Sequence, residues 1–534
     1  MYKVIVTDPI SQTGIHALTS NSNFQVTQLT DLSEAELISQ IPEYDALIVR
    51  SQTQVTRAII QAADQLRVIA RAGVGVDNID LDAATEKGII VINAPSGNTM
   101  AATEHTLAMM LALARNIPRA WQSLNSGKWE RKLFKGVELY QKTLGVVGMG
   151  RIGTEVAKRA KGFDMKILGY DPFLTEDRAK KMGIIKADLD TIAREADFIT
   201  VHTPLTPETH GLINAEFLAK TKPGVRFINC ARGGIINEQD LVDAVNSGHV
   251  AGAAIDVFEQ EPPQNTGLTQ NPNIIVTPHL GASTAEAQEK VAQSVSEEIV
   301  SIFMTGGVQH AINLPRISAA VQQKIQPYLT LSEQMAELLM QLFKKAPQKI
   351  KINYYGELFL EDTGLLTRQM IKALLSYYLD TSINIVNVMQ VLKAHSLAYS
   401  VQKNAAHKGF TNFIELEIIH DDEKATIACT YLPGFGGRIV SINGYRIDME
   451  PERYLLYISH ADVPGMIGNV GSTLGQASIN IGSMYVGRQT IGGEAVMILT
   501  VDRAVPEATL KQIKDLPDLH DAQFAEIDMP QAEK

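Results

Sequence analysis

Leu144-Gly-Val-Val-Gly-Met-Gly-Arg-Ile-Gly153 joins the end of an apolar, strand-like run to a helix that continues through Thr154 and Arg159. Its glycines stand at 148, 150 and 153, the spacing of a turn that receives a dinucleotide pyrophosphate. Gly148 permits the tight turn, Gly150 lets the backbone approach the phosphates, and Gly153 lets helix and strand pack closely. The anion would rest on free amides at the positive end of the helix dipole. Alone, such a turn is as often an ordinary loop. Asp171 makes it specific, because it closes the next apolar run, Lys166–Asp171, 18 residues beyond Gly153. A carboxylate there accepts hydrogen bonds from the adenosine ribose hydroxyls and repels the extra phosphate of NADP. Strand, glycines, helix and acid in that order predict binding of NAD.

Outward from this unit, the runs at 143–148, Lys166–Asp171, Asp197–His202, Val225–Asn229, Val250–Asp256 and Asn273–Thr277 predict a doubly wound sheet of six strands. Upstream, Lys3–Asp8, Asp45–Arg50, Arg67–Arg71 and Gly88–Asn93 alternate with helical stretches such as Ser33–Ser39 and Arg57–Ala62, a second parallel sheet. A long apolar helix from Thr99 to Arg115, interrupted by Glu104-His105, crosses from one to the other. Another, from Ala285 to Gly306 with Ser283 and Glu286 as a capping box, is placed to return the chain. The expected class is therefore α/β, with two Rossmann- or flavodoxin-like domains: a discontinuous outer one over 1–98 plus 287–312 and an inner one over 99–286. Beyond Asn313-Leu-Pro-Arg316 the pattern changes, and 313–450 reads as an intervening α+β domain. It mixes helices (Gln334–Lys345, Arg368–Leu379), strands (Phe413–Ile419, Ala425–Cys429) and a hairpin at Asn443-Gly444. The order strand, helix, strand, strand, helix, strand over 453–534 is a ferredoxin-like module.

A chain of 534 residues, 45% hydrophobic and 20% charged, can bury several cores, and no run approaches the roughly 18 apolar residues of a membrane span. Met1 leads straight into a strand-like pattern with no signal-peptide features, so a cytoplasmic location is expected and a membrane partner is not. Two cysteines, Cys230 and Cys429, argue against a disulfide framework or a thiolate metal site, and no metal is expected. A net charge of −11 disfavours nucleic acid and requires a local cationic cluster for any anionic substrate. Arg50 and Arg71, at strand ends, either meet an anion or are solvated surface. Lys128, Arg131, Lys132 and Lys135 surround Trp129 and Phe134, and Lys403, His407 and Lys408 form a smaller basic group. Both runs also suit a solvated face.

The loops after the later strands propose a reaction. Asn229-Cys-Ala-Arg-Gly-Gly234, Asp256-Val-Phe-Glu-Gln-Glu-Pro-Pro263 and Thr277-Pro-His-Leu-Gly281 deliver Arg232, Glu261 and His279 to one crevice. Oxidising a secondary alcohol needs a base for the hydroxyl proton as hydride leaves carbon, and histidine has the suitable unperturbed pKa. Glu261 would orient and tune the His279 ring, while Arg232 would hold a carboxylate through two parallel hydrogen bonds and polarise the adjacent carbonyl. Together they specify a 2-hydroxy acid. A nucleotide-sensing protein without turnover is the other class considered, and the intact trio argues against it.

Gly148-Met-Gly-Arg-Ile-Gly153, Asn229-Cys-Ala-Arg-Gly-Gly234, Asp256-Val-Phe-Glu-Gln-Glu-Pro262 and Pro278-His-Leu-Gly281 resemble the signatures of the D-isomer-specific 2-hydroxyacid dehydrogenases. The resemblance implies Arg232, Glu261 and His279 as catalytic residues. It implies NAD contacts at Gly148, Gly150, Arg151, Ile152, Gly153, Asp171, Thr203, Cys230, Ala231, Asp256, Gly281 and Ala282. Arg71-Ala-Gly-Val-Gly-Val-Asp-Asn78, Pro95-Ser-Gly-Asn98 and Trp129-Glu-Arg-Lys132 resemble the branch that oxidises D-3-phosphoglycerate to 3-phosphohydroxypyruvate. That implies substrate contacts at Arg50, Arg71, Val74, Gly75 and Asn98, with Arg131 and Lys132 contributed by a neighbouring subunit of a homo-oligomer, a dimer or tetramer. Val74 stands where other members carry threonine. Asp462-Val-Pro-Gly-Met-Ile-Gly468, Ile479-Asn-Ile481 and Gly492-Gly-Glu-Ala-Val-Met497 resemble an ACT domain, which implies L-serine feedback through His460, Asp462 and Asn480.

Overall fold

Continuous apolar runs such as Ala46-Leu-Ile-Val49, buried along their whole length, require cover on both faces and so build parallel sheets under helices. A computed structural model describes residues 1–315, 319–360, 362–379, 382–405 and 409–529; Arg316, His407 and Lys408 lie outside them. The first sheet contains β1 (Tyr2–Val6), β2 (Phe24–Gln28), β3 (Ala46–Val49), β4 (Val68–Arg71) and β5 (Ile90–Asn93) in the all-parallel order β2-β1-β3-β4-β5. β2 was not expected from the sequence. Phe-Gln-Val-Thr-Gln buries only Phe24 and lies at the edge, so it carries little of the apolar signature of a central strand.

The second sheet holds seven strands rather than the six expected: β6 (Thr143–Val147), β7 (Lys166–Tyr170), β8 (Ile185–Lys186), β9 (Phe198–Val201), β10 (Val225–Asn229), β11 (Val250–Ile255) and β12 (Ile274–Val276). Their order is β12-β11-β10-β9-β6-β7-β8. The additional strand, β8, is two exposed residues on the edge, too short for any periodicity to register. Both sheets reverse direction beside their first strand, between β1 and β3 and between β6 and β9. Crevices for ligands open at such points, beyond the carboxyl ends of the strands.

Two long helices join the sheets. α1 (Thr99–Ala114) packs Met109, Met110 and Leu113 into the core around β6, whereas α3 (Ala285–Thr305) places Val291, Val295, Ile299 and Phe303 in the core of the first sheet with Val4, Ile48 and Ile92. The chain thus crosses between the sheets twice. The capping box expected at Ser283 and Glu286 is not formed. Thr284 caps α3 by accepting the Ala287 amide, because the Ser283 amide is used to close a turn on the Leu280 carbonyl. Helix α2 (Arg151–Ala160) follows β6.

The third sheet, β13 (Lys349–Tyr355), β14 (Ala398–Asn404), β15 (Phe413–His420), β16 (Glu423–Leu432), β17 (Gly436–Ile442) and β18 (Tyr445–Met449), has the order β14-β13-β15-β16-β17-β18 and is antiparallel except at β13–β14. Its β17–β18 hairpin turns at Asn443 and Gly444, both at positive φ (48° and 80°), as their sequence predicts. The fourth, β19 (Tyr454–Ala461), β20 (Ile481–Arg488), β21 (Glu494–Val501) and β22 (Leu519–Glu526), is antiparallel in the order β20-β21-β19-β22. Helices Met466–Gln476 and Glu507–Lys514 cover one face, and Leu455, Ile498 and Ala525 on the other join the core of the third sheet. That third unit docks on the first sheet through the segment ahead of helix Val388–Ala394: Asn384 Nδ2 donates to the Gly88 carbonyl at 2.8 Å, and Val386 is buried in the first core.

Candidate active site

β6 ends at Val147, and the chain turns through Gly148 at φ 97°, a conformation side chains rarely adopt. A Cβ on Gly153 would sit 2.0 Å from the Gly148 carbonyl oxygen, so helix and turn approach as closely as glycine allows. Gly150 caps α2 and faces open space, leaving the first amides of that helix accessible to an anion. Asp171, just past β7, accepts the amides of Met149 at 2.9 Å and Phe173 at 2.8 Å. It therefore braces the turn from the place where a ribose would arrive. Gly153→Ala is expected to lower the melting temperature, since overpacking costs about 1–3 kcal/mol, and to weaken NADH binding in a fluorescence titration. Asp171→Ala is expected to lower kcat/KM for NAD about tenfold and to narrow the preference for NAD over NADP, on the loss of charge-assisted bonds of about 1.5–3 kcal/mol. Steady-state kinetics with both cofactors measure it.

Opposite the turn, buried Asn229 clamps the loop after β10: its Oδ1 accepts the Ala231 amide at 3.0 Å and its Nδ2 donates to the Arg232 carbonyl at 2.9 Å. Arg232 projects from this loop with Nε 3.4 Å from Asp77. Arg71 lies against it, and burial, then the like charge of Arg232, push its guanidinium down to about 10, partly offset by Asp77. Its buried Nε has no hydrogen-bond partner. Arg50 completes the group from the loop 50–53, which Asp8 organises by accepting the amides of Arg50, Gln52 and Thr53 while Asn78 ties down the Arg50 and Thr53 carbonyls. Three crowded arginines with an unpaired donor make a seat for an anion of more than one charge.

After β11 and β12, Glu261 and His279 meet: Nδ1 of the ring lies 2.8 Å from Oε2 of the carboxylate, with both side chains 40–47% exposed to the cleft. Burial opposes the charge on Glu261, yet the hydrogen bond and charge of His279 hold its carboxyl below the ordinary value. The His279 backbone is left-handed, φ 54°, and its amide donates to the Asp256 carbonyl at 2.9 Å. Asp256 is wholly buried and accepts the Thr277 hydroxyl (2.6 Å) and the amides of Leu280 (2.7 Å) and Gly281 (2.9 Å). His105, Cys230 and Asp256 place ligand atoms within 4.8 Å of one another. The Asp256 oxygens are already occupied by donors, and burial drives the Cys230 thiol up to about 12, so the set is built for hydrogen bonding rather than for a cation.

A cleft of about 390 Å³, open to solvent, collects Val74, Gly75, Asn98, Ile152, His202, Thr203, Cys230, Ala231, Arg232, His279, Gly281 and Ala282. Asp256 stands behind its wall, Arg71 lies beside Arg232, and Arg50 lies beside Arg71 with its Nη1 donating to the Pro9 carbonyl at 3.0 Å. Arg151 turns from α2 toward the first sheet, donating to the Pro95 carbonyl at 2.7 Å. Arg131 and Lys132, expected at the substrate, lie in an exposed 3-10 turn and do not line the cleft of their own chain. Nor are the three regulatory candidates together. His460 is the penultimate residue of β19 and Asp462 follows its carboxyl end, whereas Asn480 precedes β20 beside Asp502, at the end of the sheet where β19 begins. Asp462 is held below the ordinary carboxylate value by the Gly492 amide and Arg488, and buried His460 donates from Nδ1 to the Ala461 carbonyl at 2.7 Å. Asp8, Asn78, Asn229 and His105 were not singled out from sequence, though Asp8 and Asn229 end strand runs already recognised there.

The D-isomer specific 2-hydroxyacid dehydrogenase NAD binding domain matches residues 107–281, the segment that holds the glycine turn, Asp171, Arg232, Glu261 and His279. The D-3-phosphoglycerate dehydrogenase intervening domain matches 324–443 and the ACT domain 454–518. D-3-phosphoglycerate dehydrogenase of Bacillus subtilis is 44% identical over 530 residues, 99% of this chain and 100% of its own; that of Methanocaldococcus jannaschii is 43% identical over 98% and 99%. The chain belongs to the D-3-phosphoglycerate dehydrogenase family. Among solved structures, D-lactate dehydrogenase from Aquifex aeolicus complexed with NAD and lactic acid is 30% identical, with TM-score 0.51 over 57% of this chain and 96% of that one. NAD-dependent formate dehydrogenase from Staphylococcus aureus in complex with NAD is also 30% identical, with TM-score 0.52 over 58% and 97%. The cofactor of this family member is NAD, and the open space at Gly150, the close pair Gly148–Gly153 and the position of Asp171 fit it. No described helix is long and apolar enough to cross a membrane.

Proposed function

We infer that this chain oxidises D-3-phosphoglycerate to 3-phosphohydroxypyruvate, the first step of L-serine biosynthesis. The observation that carries the reading is the convergence of Arg232, Arg71 and Arg50 with the Glu261–His279 pair at one cleft beside the glycine turn. Arg232 takes the substrate carboxylate and the carbonyl oxygen that forms at C2, while Arg71 and Arg50 hold the phosphate. Glu261 occupies Nδ1 of His279, which leaves Nε2 to accept the C2 hydroxyl proton, and its negative charge stabilises the imidazolium that results. NAD, when bound, supplies the acceptor for the hydride that leaves C2. A proton on His279 and a hydride, one hydrogen nucleus with two electrons, on the cofactor account for the two hydrogens lost.

Regulation by L-serine goes with the ACT domain. Because His460 and Asp462 sit at one end of the sheet and Asn480 at the other, a serine bound by all three is held between two copies. A homo-oligomer, a dimer or tetramer, is supported by an exposed apolar group on helix Ile117–Asn125 and the turn beyond it, Trp121, Leu124, Trp129 and Leu133. Such a face also delivers Arg131 and Lys132 toward a neighbour. Two free, buried cysteines suit a cytoplasmic enzyme. The test is NADH formation with D-3-phosphoglycerate, D-glycerate and D-lactate in parallel: a much higher kcat/KM for either unphosphorylated acid would defeat the substrate assignment.

A further inference from the structure

His105 lies on α1, midway along the helix that carries the chain from the first sheet to the second, yet its ring reaches the loop that carries His279. Its Nε2 stands 3.2 Å from Asp256 Oδ1 and 3.3 Å from Thr277 Oγ1. Thr277 donates its own hydroxyl proton to the same Asp256 oxygen at 2.6 Å, so both atoms facing Nε2 are acceptors, and His105 carries its proton there. Asp256 in turn holds three successive backbone donors at the proton acceptor: His279 on its carbonyl (an amide shared with the Thr277 carbonyl), Leu280 on Oδ1 and Gly281 on Oδ2. Those bonds keep His279 at φ 54°, a region costly for a side chain with a Cβ and populated only where the surroundings impose it.

We propose that His105 is a positioning residue for the reaction: through Asp256 and Thr277 it couples α1 to the left-handed turn at His279 and so fixes where the imidazole meets the substrate. The proposal rests on His279 as the proton acceptor. His105 itself does not line the cleft, and no part of the cofactor or substrate need touch it. Its reach explains the polar pair Glu104-His105 inside an otherwise apolar helix. Asp256 without this donor loses its tie to α1, its bonds to the Leu280 and Gly281 amides open more often, and the turn can then drift by a fraction of an ångström. Misplacement of about 1 Å at a reacting group costs on the order of 10²-fold.

His105→Leu and His105→Gln separate positioning from mere packing, because the glutamine amide nitrogen can donate where Nε2 does. In the full-length enzyme, His105→Leu is expected to lower kcat by about 10- to 100-fold while the KM for NAD moves by no more than about twofold. His105→Gln should recover kcat to within about threefold of the parent. Hydrogen exchange of the peptide over 277–285, read by mass spectrometry, should quicken at the Leu280 and Gly281 amides in the leucine variant and return in the glutamine one. This arm needs no turnover, so it stands even if His279→Ala were to leave activity intact, a result that would instead sink His279 as proton acceptor. A leucine variant with parental kcat and exchange overturns the proposal, as does a glutamine variant as slow as the leucine one.

Discussion

His279→Ala lowers kcat by about 10²–10⁴, the contribution of a placed general base, with the KM for NAD nearly unchanged. The expectation follows from the geometry of the pair. Its Nδ1 is occupied by Glu261 at 2.8 Å, and the backbone beneath it is pinned by Asp256. The other histidine lining the cleft, His202, faces Thr200 Oγ1 with Nε2 and is pushed down to about 4 by burial, so it holds a proton poorly and does not replace His279. Glu261→Gln keeps the hydrogen-bond geometry but removes the charge that stabilises the protonated ring, so it should lower kcat less than His279→Ala and shift the acidic limb of the pH profile for oxidation downward. The sign follows from Glu261 lying below its ordinary value of 4.5: it is ionised throughout the neutral range, and its support of the imidazolium is lost only as pH falls through that depressed value. Stopped-flow and steady-state NADH absorbance measure both. Turnover of His279→Ala within a few fold of the parent would take the proton elsewhere.

Arg232→Ala is expected to cost about 10²–10³ in kcat/KM, the scale of removing one donor from a developing oxyanion. Unlike His279→Ala it should raise the KM for the hydroxy acid as well, since the same guanidinium holds the ground-state carboxylate. Arg232→Lys should recover only a small part, because an ammonium cannot make two parallel bonds to a planar carboxylate. A further effect follows from crowding: Arg232 helps push Arg71 down to about 10, so its removal relaxes Arg71 toward its ordinary value and leaves the phosphate seat intact. Inhibition by inorganic phosphate should therefore survive the substitution while turnover falls. Loss of both together would mean that the two arginines act as one site.

Much of this was legible in the chain because parallel strands buried on both faces are written in continuous apolar residues. Val225-Arg-Phe-Ile-Asn229 begins and ends where its sequence predicts. β2 and β8 were not legible, since an edge strand needs neither length nor two apolar faces. The charged members of the cleft were found by one rule, that function gathers after carboxyl ends of strands, and the rule would also have reached Asp8. His105 escaped it. A helix residue that acts across a domain leaves no local trace beyond a polar side chain among apolar ones, and surface histidines leave the same. The separation of Asn480 from His460 and Asp462 within one chain was not legible for another reason: β19 and β20 flank β21 and run the same way, so the end of one and the start of the other lie at opposite ends of the sheet, and strand order decides that.

The two crossings of the chain between the parallel sheets limit how those bodies can move. A domain on one strand of backbone swivels about many axes; one held by two strands side by side keeps a single easy rotation, about the line through both. α1 begins just after Asn98 at the mouth of the cleft, and α3 begins two residues beyond Ser283, directly after the loop of His279. The line through the crossings therefore passes beside the reacting residues, where rotation displaces atoms least. A rotation about that line would carry Arg50 and Arg71 with the first sheet and leave His279 close to the pivot, so gripping or releasing the phosphate would not disturb the proton acceptor. A flexible insertion in one crossing would add a second axis, and the expected signature is a weaker grip on the phosphorylated acid with NADH affinity unaltered.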